Sequence, residues 1–140
     1  MNEHNKIIAI QPLYEAHEGE CGGITRALLS EIAEAVSLYI HDHLPKIIDI
    51  KAIGLSAPER GVFDKAMGSG EISAEIVTAG RSRIEETRFP GVWWVRHYGV
   101  NGELQAEWIE VTEVPEIMKA DRADMVVGLK NLRDNGSKGG

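Results

Sequence analysis

From Val92 to Val111 the chain repeats one pattern around Asn101-Gly102. Val92-Trp93-Trp94-Val95-Arg96-His97-Tyr98 comes before it, and Glu103-Leu104-Gln105-Ala106-Glu107-Trp108-Ile109-Glu110-Val111 follows. All three tryptophans lie in these two runs. An Asn-Gly pair between such runs signals a hairpin, because a two-residue type I′ turn needs positive φ at both central positions. A tight turn places Arg96 opposite Glu107, Trp94 opposite Ile109, Val92 opposite Val111 and Tyr98 opposite Gln105. The other face sets Trp93, Val95 and His97 against Glu110, Trp108 and Ala106. Opposite charges and large apolar partners fall into register, and a slip of one residue would undo both.

The hairpin extends a run of strands. Glu71–Ala79 reads as a strand, Gly80 as a turn and Arg83–Phe89 as a second strand, broken by Pro90-Gly91. Upstream, Ile24, Leu28, Ile32, Val36 and Ile40 recur every four residues, the stripe of an amphipathic helix. His41-Asp42-His43 closes that helix, and Pro45 lies where a stop is expected. Ile47–Ile53 is β-branched and reads as a strand. Ser56 with Glu59 has capping-box spacing ahead of a helix over Pro58–Met67. Gly68 and Gly70 end it. Ile7–Leu13 reads as a short strand, Glu15–Gly23 as a loop, and Pro115–Arg122 as a short helix. Met125–Leu132 reads as a further helical turn or a terminal segment.

The resulting fold class is α+β. An antiparallel meander with the Asn-Gly hairpin packs on one long N-terminal helix and short helices. Residues 1–134 form one domain and 135–140 a disordered tail. The face carrying Trp93, Val95, Leu104, Ala106 and Trp108 is expected to meet the long helix. The face carrying Val92, Trp94, Ile109 and Val111 is then left for another element or a partner.

A chain of 140 residues buries enough surface to fold without a disulfide or a structural metal. Its 22 acidic and 15 basic residues leave a net charge of −7. That field repels phosphate backbones and anionic lipid, so nucleic acid and membrane are poor partners, whereas a basic segment of another protein suits it. One cysteine, Cys21, permits no intrachain disulfide and points to a reducing compartment. Ile7–Ile10 is too short for a signal-peptide core, so the expected location is the cytoplasm.

Three stretches in order carry a family resemblance: Gly70-Glu71-Ile72-Ser73-Ala74, then Ile84-Glu85-Glu86-Thr87-Arg88-Phe89-Pro90-Gly91-Val92-Trp93, then Leu104–Val111. Val114-Pro115-Glu116-Ile117 follows them. The set resembles the HupH/HyaF family of hydrogenase expression/formation proteins, in a short, single-unit, HupJ-like form. That resemblance implies a non-catalytic, chaperone-like role in nickel–iron hydrogenase maturation. The implied partner is the immature iron–sulfur small subunit or another maturation protein, with no cofactor. Longer members have about twice this length, which leaves a homodimer of the short form open.

Candidate sites follow. The partner surface is expected to combine Glu85, Glu86, Phe89, Pro90 and Gly91 with the apolar residues Val92, Trp94 and Ile109. Tryptophan buries a large area with few rotors, which suits an interface, though a core role for Trp94 is equally natural. Cys21, in a glycine-flanked loop just before the long helix, has a thiolate that the helix dipole would favour. With His17 it is the candidate for a metal or iron–sulfur carrier. Against that, a closed site needs three or four ligands, and His41 and His43 lie a helix length from Cys21. A loop cysteine with no role is the simpler reading of Cys21, and favourable charge at a helix C-terminus explains His41 and His43 well enough. A third reading is a small enzyme with a cleft of Glu86, Arg96 and His97. Glu85 and Glu86, as strand neighbours, point to opposite faces and cannot serve one substrate as a pair. Gly68-Ser69-Gly70 lacks the Gly-Lys-Ser/Thr of a phosphate loop.

Overall fold

The computed structural model describes residues 22–138. In chain order the elements are α1 (Gly22–Asp42), β1 (Lys46–Asp49), α2 (Ile50–Ile53), α3 (Ala57–Met67), β2 (Ser73–Val77), β3 (Arg81–Glu86), β4 (Val92–Tyr98), β5 (Leu104–Val111), a 3₁₀ turn (Glu116–Met118) and α4 (Arg122–Lys138). The five strands form one antiparallel sheet in the order β1-β5-β4-β3-β2. The meander and the α+β class are as the sequence predicts. The strand expected at Ile7–Leu13 lies outside the described residues.

The register of β4 on β5 matches the expectation from Val92↔Val111 to His97↔Ala106, and then shifts. Tyr98 faces Leu104, not Gln105. The turn is longer than two residues. Gly102 donates to the Gly99 carbonyl at 3.0 Å, and Gly99 to that of Glu103 at 2.9 Å. Only Gly102 takes positive φ (84°), while Asn101 does not. A three-residue loop ending in a left-handed glycine replaces the type I′ pair, and one extra residue in β5 restores the register beyond it.

α1 buries Leu28, Ile32 and Ala35, with Ile24 and Val36 of the predicted stripe partly buried beside them and Ile40 left 67 % exposed. The buried side chains meet Val92, Trp94, Ile109 and Val111 from the sheet, Ile48 and Ile50 from β1–α2, and Phe63 and Met67 from α3. The helix layer therefore covers the face that the sequence leaves for another element or a partner. The opposite face, expected to meet α1, instead forms a smaller cluster of Ile84, Trp93 and Val95, flanked by Ala74, Ile76 and Trp108. Alternation along a strand separates two faces but does not say which one a helix chooses. Glu107 lies on the helix side too, where Arg60 of α3 neutralises it.

Three boundaries differ from expectation for local reasons. Ile47–Ile53 is not one strand. The Asp49 side chain accepts from the Ala52 amide at 3.0 Å, caps α2 and turns the chain out of the sheet. Gly54, at φ 68°, ends that single turn. At Pro115–Arg122 only the 3₁₀ turn forms, before α4. Asp121 then caps Ala123 at 2.7 Å and starts α4. That helix continues through Asn135–Lys138, which the sequence reading assigns to a disordered tail. Once a helix is nucleated, each further residue adds a hydrogen bond at little cost. The Ser56/Glu59 capping box of α3 is present in both directions, at 3.2 and 2.8 Å.

Candidate partner-binding site

β3 ends at Glu86, and the chain crosses to β4 through Thr87-Arg88-Phe89-Pro90-Gly91. Val92 donates to the Phe89 carbonyl at 3.0 Å. Pro90 and Gly91 (φ 80°) occupy the centre of that turn, the type II arrangement in which proline presets the first position and glycine supplies the second. Thr87 is buried and locks the turn from inside. Its hydroxyl donates to the Val92 carbonyl at 2.8 Å and accepts from the Phe89 amide at 3.2 Å. The segment is also tied to its surroundings. Arg88 donates to the Met67 carbonyl, Gly70 to that of Glu86, and Thr112 to that of Gly91, at 2.8, 2.8 and 2.9 Å. Strand β3 thus stops short of the expected Phe89 because Thr87 turns the backbone inward.

Two concavities border this segment. On one side is a small polar notch of about 200 Å³, lined by Asp64, Ser69, Glu85, Glu86 and Arg96 among others. On the other is a more apolar trench of about 480 Å³, where Pro90 and Gly91 face Val36, Tyr39, Ile40 and His43 of the α1 end.

The notch stands on a charged network. Glu107 is fully buried, and each of its oxygens is engaged. Arg60 grips it with two nitrogens, at 2.8 Å to Oε2 and 2.6 Å to Oε1. Trp94 Nε1 donates to Oε2 at 2.8 Å and Arg96 Nε at 3.1 Å. Arg96 also reaches Glu85 at 3.2 Å and lies 4.3 Å from the Trp94 ring centroid. Burial pushes the Glu107 carboxyl up. The bonds from Arg60, Trp94 and Arg96 and the Arg60 charge outweigh it, so its pKa falls below the usual carboxylate value. The same bond to Glu107 raises Arg60.

The sequence-predicted residues separate into two groups. Glu85, Glu86, Phe89, Pro90 and Gly91 come together on the segment between notch and trench. Val92 and Ile109 do not join them at the surface, because they are buried at 0 % exposure, whereas Trp94, buried at 3 %, still borders the notch beside Glu85 and Glu86. The cleft of Glu86, Arg96 and His97 does not assemble either. Arg96 points to the helix side, whereas His97 bonds Ser82 on the opposite face at 2.7 Å. Cys21 and His17 lie outside the described residues. Among the described residues no cluster of three or more His, Cys, Asp or Glu is placed to hold a metal. His41 Nδ1 donates to the Ser37 carbonyl at 2.8 Å, and His43 closes α1 in the left-handed region (φ 57°). Sequence reasoning missed Arg60, 47 positions from Glu107. Its only signal is an arginine one turn into a capped helix.

The model of the HupH hydrogenase expression protein, C-terminal conserved region, matches residues 24–137. The chain belongs to the HupH hydrogenase expression protein family. Hydrogenase expression/formation protein HoxQ of Azotobacter vinelandii is 29% identical over 99 residues, which cover 69% of this chain and 33% of HoxQ. HupH of Rhizobium leguminosarum bv. viciae is 27% identical over 97 residues, covering 68% and 34%. The chain therefore spans about a third of the length of these relatives. The solved hydrogenase expression protein HupH from Thiobacillus denitrificans superposes with a TM-score of 0.79 at 33% identity, covering 83% of this chain and 97% of that one. Among the described residues no helix is long and apolar enough to cross a membrane.

Proposed function

We propose that this chain is a non-catalytic accessory factor in nickel–iron hydrogenase maturation, acting in the cytoplasm. It binds the immature iron–sulfur small subunit or another assembly factor. Glu85, Glu86, Phe89, Pro90 and Gly91 supply the contact. The observation that carries this reading is the rigid turn between the polar notch and the apolar trench. A preformed loop loses little entropy on binding. Its acidic shoulder, Glu85 and Glu86, suits a basic segment such as an export leader. Membership of a family of hydrogenase expression proteins supports the pathway. The names of the longer relatives, expression/formation proteins, support an accessory role.

The test is capture of a hydrogenase small-subunit precursor by the tagged protein, with and without the precursor's export leader. Wild type is expected to retain the precursor. Glu86→Lys combined with Pro90→Ser should lose most of that capture while melting as wild type does. Capture only with the leader would place the contact on the basic segment. Capture unaffected by the double variant would overturn the assignment of the site. No capture of either form would overturn the small subunit as partner.

A further inference from the structure

Among the described residues, nothing buries helix α4. None of its residues is buried. It nevertheless exposes Met125, Val126, Leu129 and Leu132, with Val126 and Leu132 at 69 and 72 %. Met125, Leu129 and Leu132 share one stripe at helical spacing. A lone helix of this length is marginal in water even with good helix formers. This one carries Gly128 and Gly136, each costing about 1 kcal/mol against alanine. Its stability therefore calls for a surface to pack on. The family match runs to residue 137, so the helix is part of the shared unit and not an appendage.

A surface of the right kind lies at the root of the same helix. The trench beside Pro90 continues past Tyr39 and His43 to Pro45 and Ile47. Ile40 and Ile47 stand exposed along it, Ile40 at 67 %. Glu113 and Glu116 border it, Glu116 being paired with Lys119 at 3.0 Å. The charges complement each other. α4 bears Arg122, Lys130, Arg133 and Lys138 against Asp124 and Asp134, whereas the chain as a whole has 22 acidic and 15 basic residues. Only Lys119–Asp121 separates the 3₁₀ turn from α4. The helix leaves the body near the trench but does not lie in it.

We infer that α4 docks in the trench of a second copy of this chain, giving a dimer with reciprocal helix exchange. Each copy then buries the stripe of the other helix against Ile40 and Ile47, with the basic face of α4 near Glu113 and Glu116. Two identical contacts related by a two-fold axis close the assembly.

The full chain should sediment at about 100 µM as twice its 15.4 kDa mass. Leu129→Glu and Ile40→Glu should each give a monomer with an unchanged far-ultraviolet spectrum for the body, because both side chains are exposed. Two variants in a Cys21→Ser background then read the pairing directly. Leu129→Cys mixed with Ile40→Cys should form the mixed disulfide on oxidation. A monomeric wild type overturns the inference. So does a dimer that survives Ile40→Glu, or cross-linking confined to Leu129→Cys with itself, which would be helix-on-helix pairing. Because the readout is oligomeric state, it is independent of precursor capture.

Discussion

Trp94 and Glu107 depend on one another in the fold. The indole fills the space beside Phe63, ring centroids 5.2 Å apart, and its N–H satisfies the buried carboxylate. Trp94→Ala should therefore cost about 4 kcal/mol or more, as large core truncations do, read as a lowered denaturation midpoint in urea. A value near zero would return Trp94 to the surface. Glu107→Gln leaves Arg60 and Arg96 without their shared counter-charge and should cost about 3 kcal/mol at neutral pH. The pH dependence has a definite sign. Since the folded-state pKa of Glu107 is depressed, its contribution is full above the ordinary value of 4.5 and is lost as pH falls below it. The stability gap between wild type and Glu107→Gln should narrow in acid, and a gap constant from pH 7 to pH 3 would contradict the network. Glu85 belongs to this network through Arg96, which is why the binding test changes Glu86 instead.

At the level of elements, what was legible depended on whether the signal was local. α1 has a clean stripe and both of its closing residues, so its extent was readable to within two residues. α3 was readable from its capping box. Ser56→Ala should lower stability by about 1 kcal/mol, measured by thermal or urea unfolding, since the N-cap hydroxyl is replaced by nothing. The hairpin was readable as a hairpin, but its turn type was not. Asn101-Gly102 fits both a two-residue loop and a three-residue loop with a left-handed glycine. The latter requires positive φ only at glycine, which removes the strain of a left-handed Asn101. Ile47–Ile53 misled because β-branched composition outlasts the strand. Asp49 stops it by offering the backbone a helical cap instead. The tail misled because Gly136 and Ser137 suggest a loop, yet α4 runs through them.

For the whole molecule, sheet order ranks the elements by stability. β4 lies at the centre with Val92, Trp93, Trp94 and Val95 all buried, while β2 is an edge strand with no buried residue. Native-state hydrogen exchange should find the β4 and β5 amides slowest and those of Ser73–Val77 markedly faster. Equal protection across the sheet would mean that the β2 edge is covered in solution. The candidate site was half legible. Glu85 to Gly91 could be found because proline, glycine and paired acids mark an exposed turn in any context. Trp94, Ile109 and Val92 could not be placed, because alternation gives both faces of β4 a tryptophan and composition does not rank them. By itself the sequence determined the class, the strands of the meander, the β4–β5 register and the long helix, since each rests on periodicity or spacing within one or two neighbouring segments. Only the tertiary structure decided which face the helices cover. That choice rests on packing between segments far apart in the chain, Leu28, Ile32, Phe63 and Met67 against Val92, Trp94, Ile109 and Val111, and the burial of that apolar surface exists only once they meet.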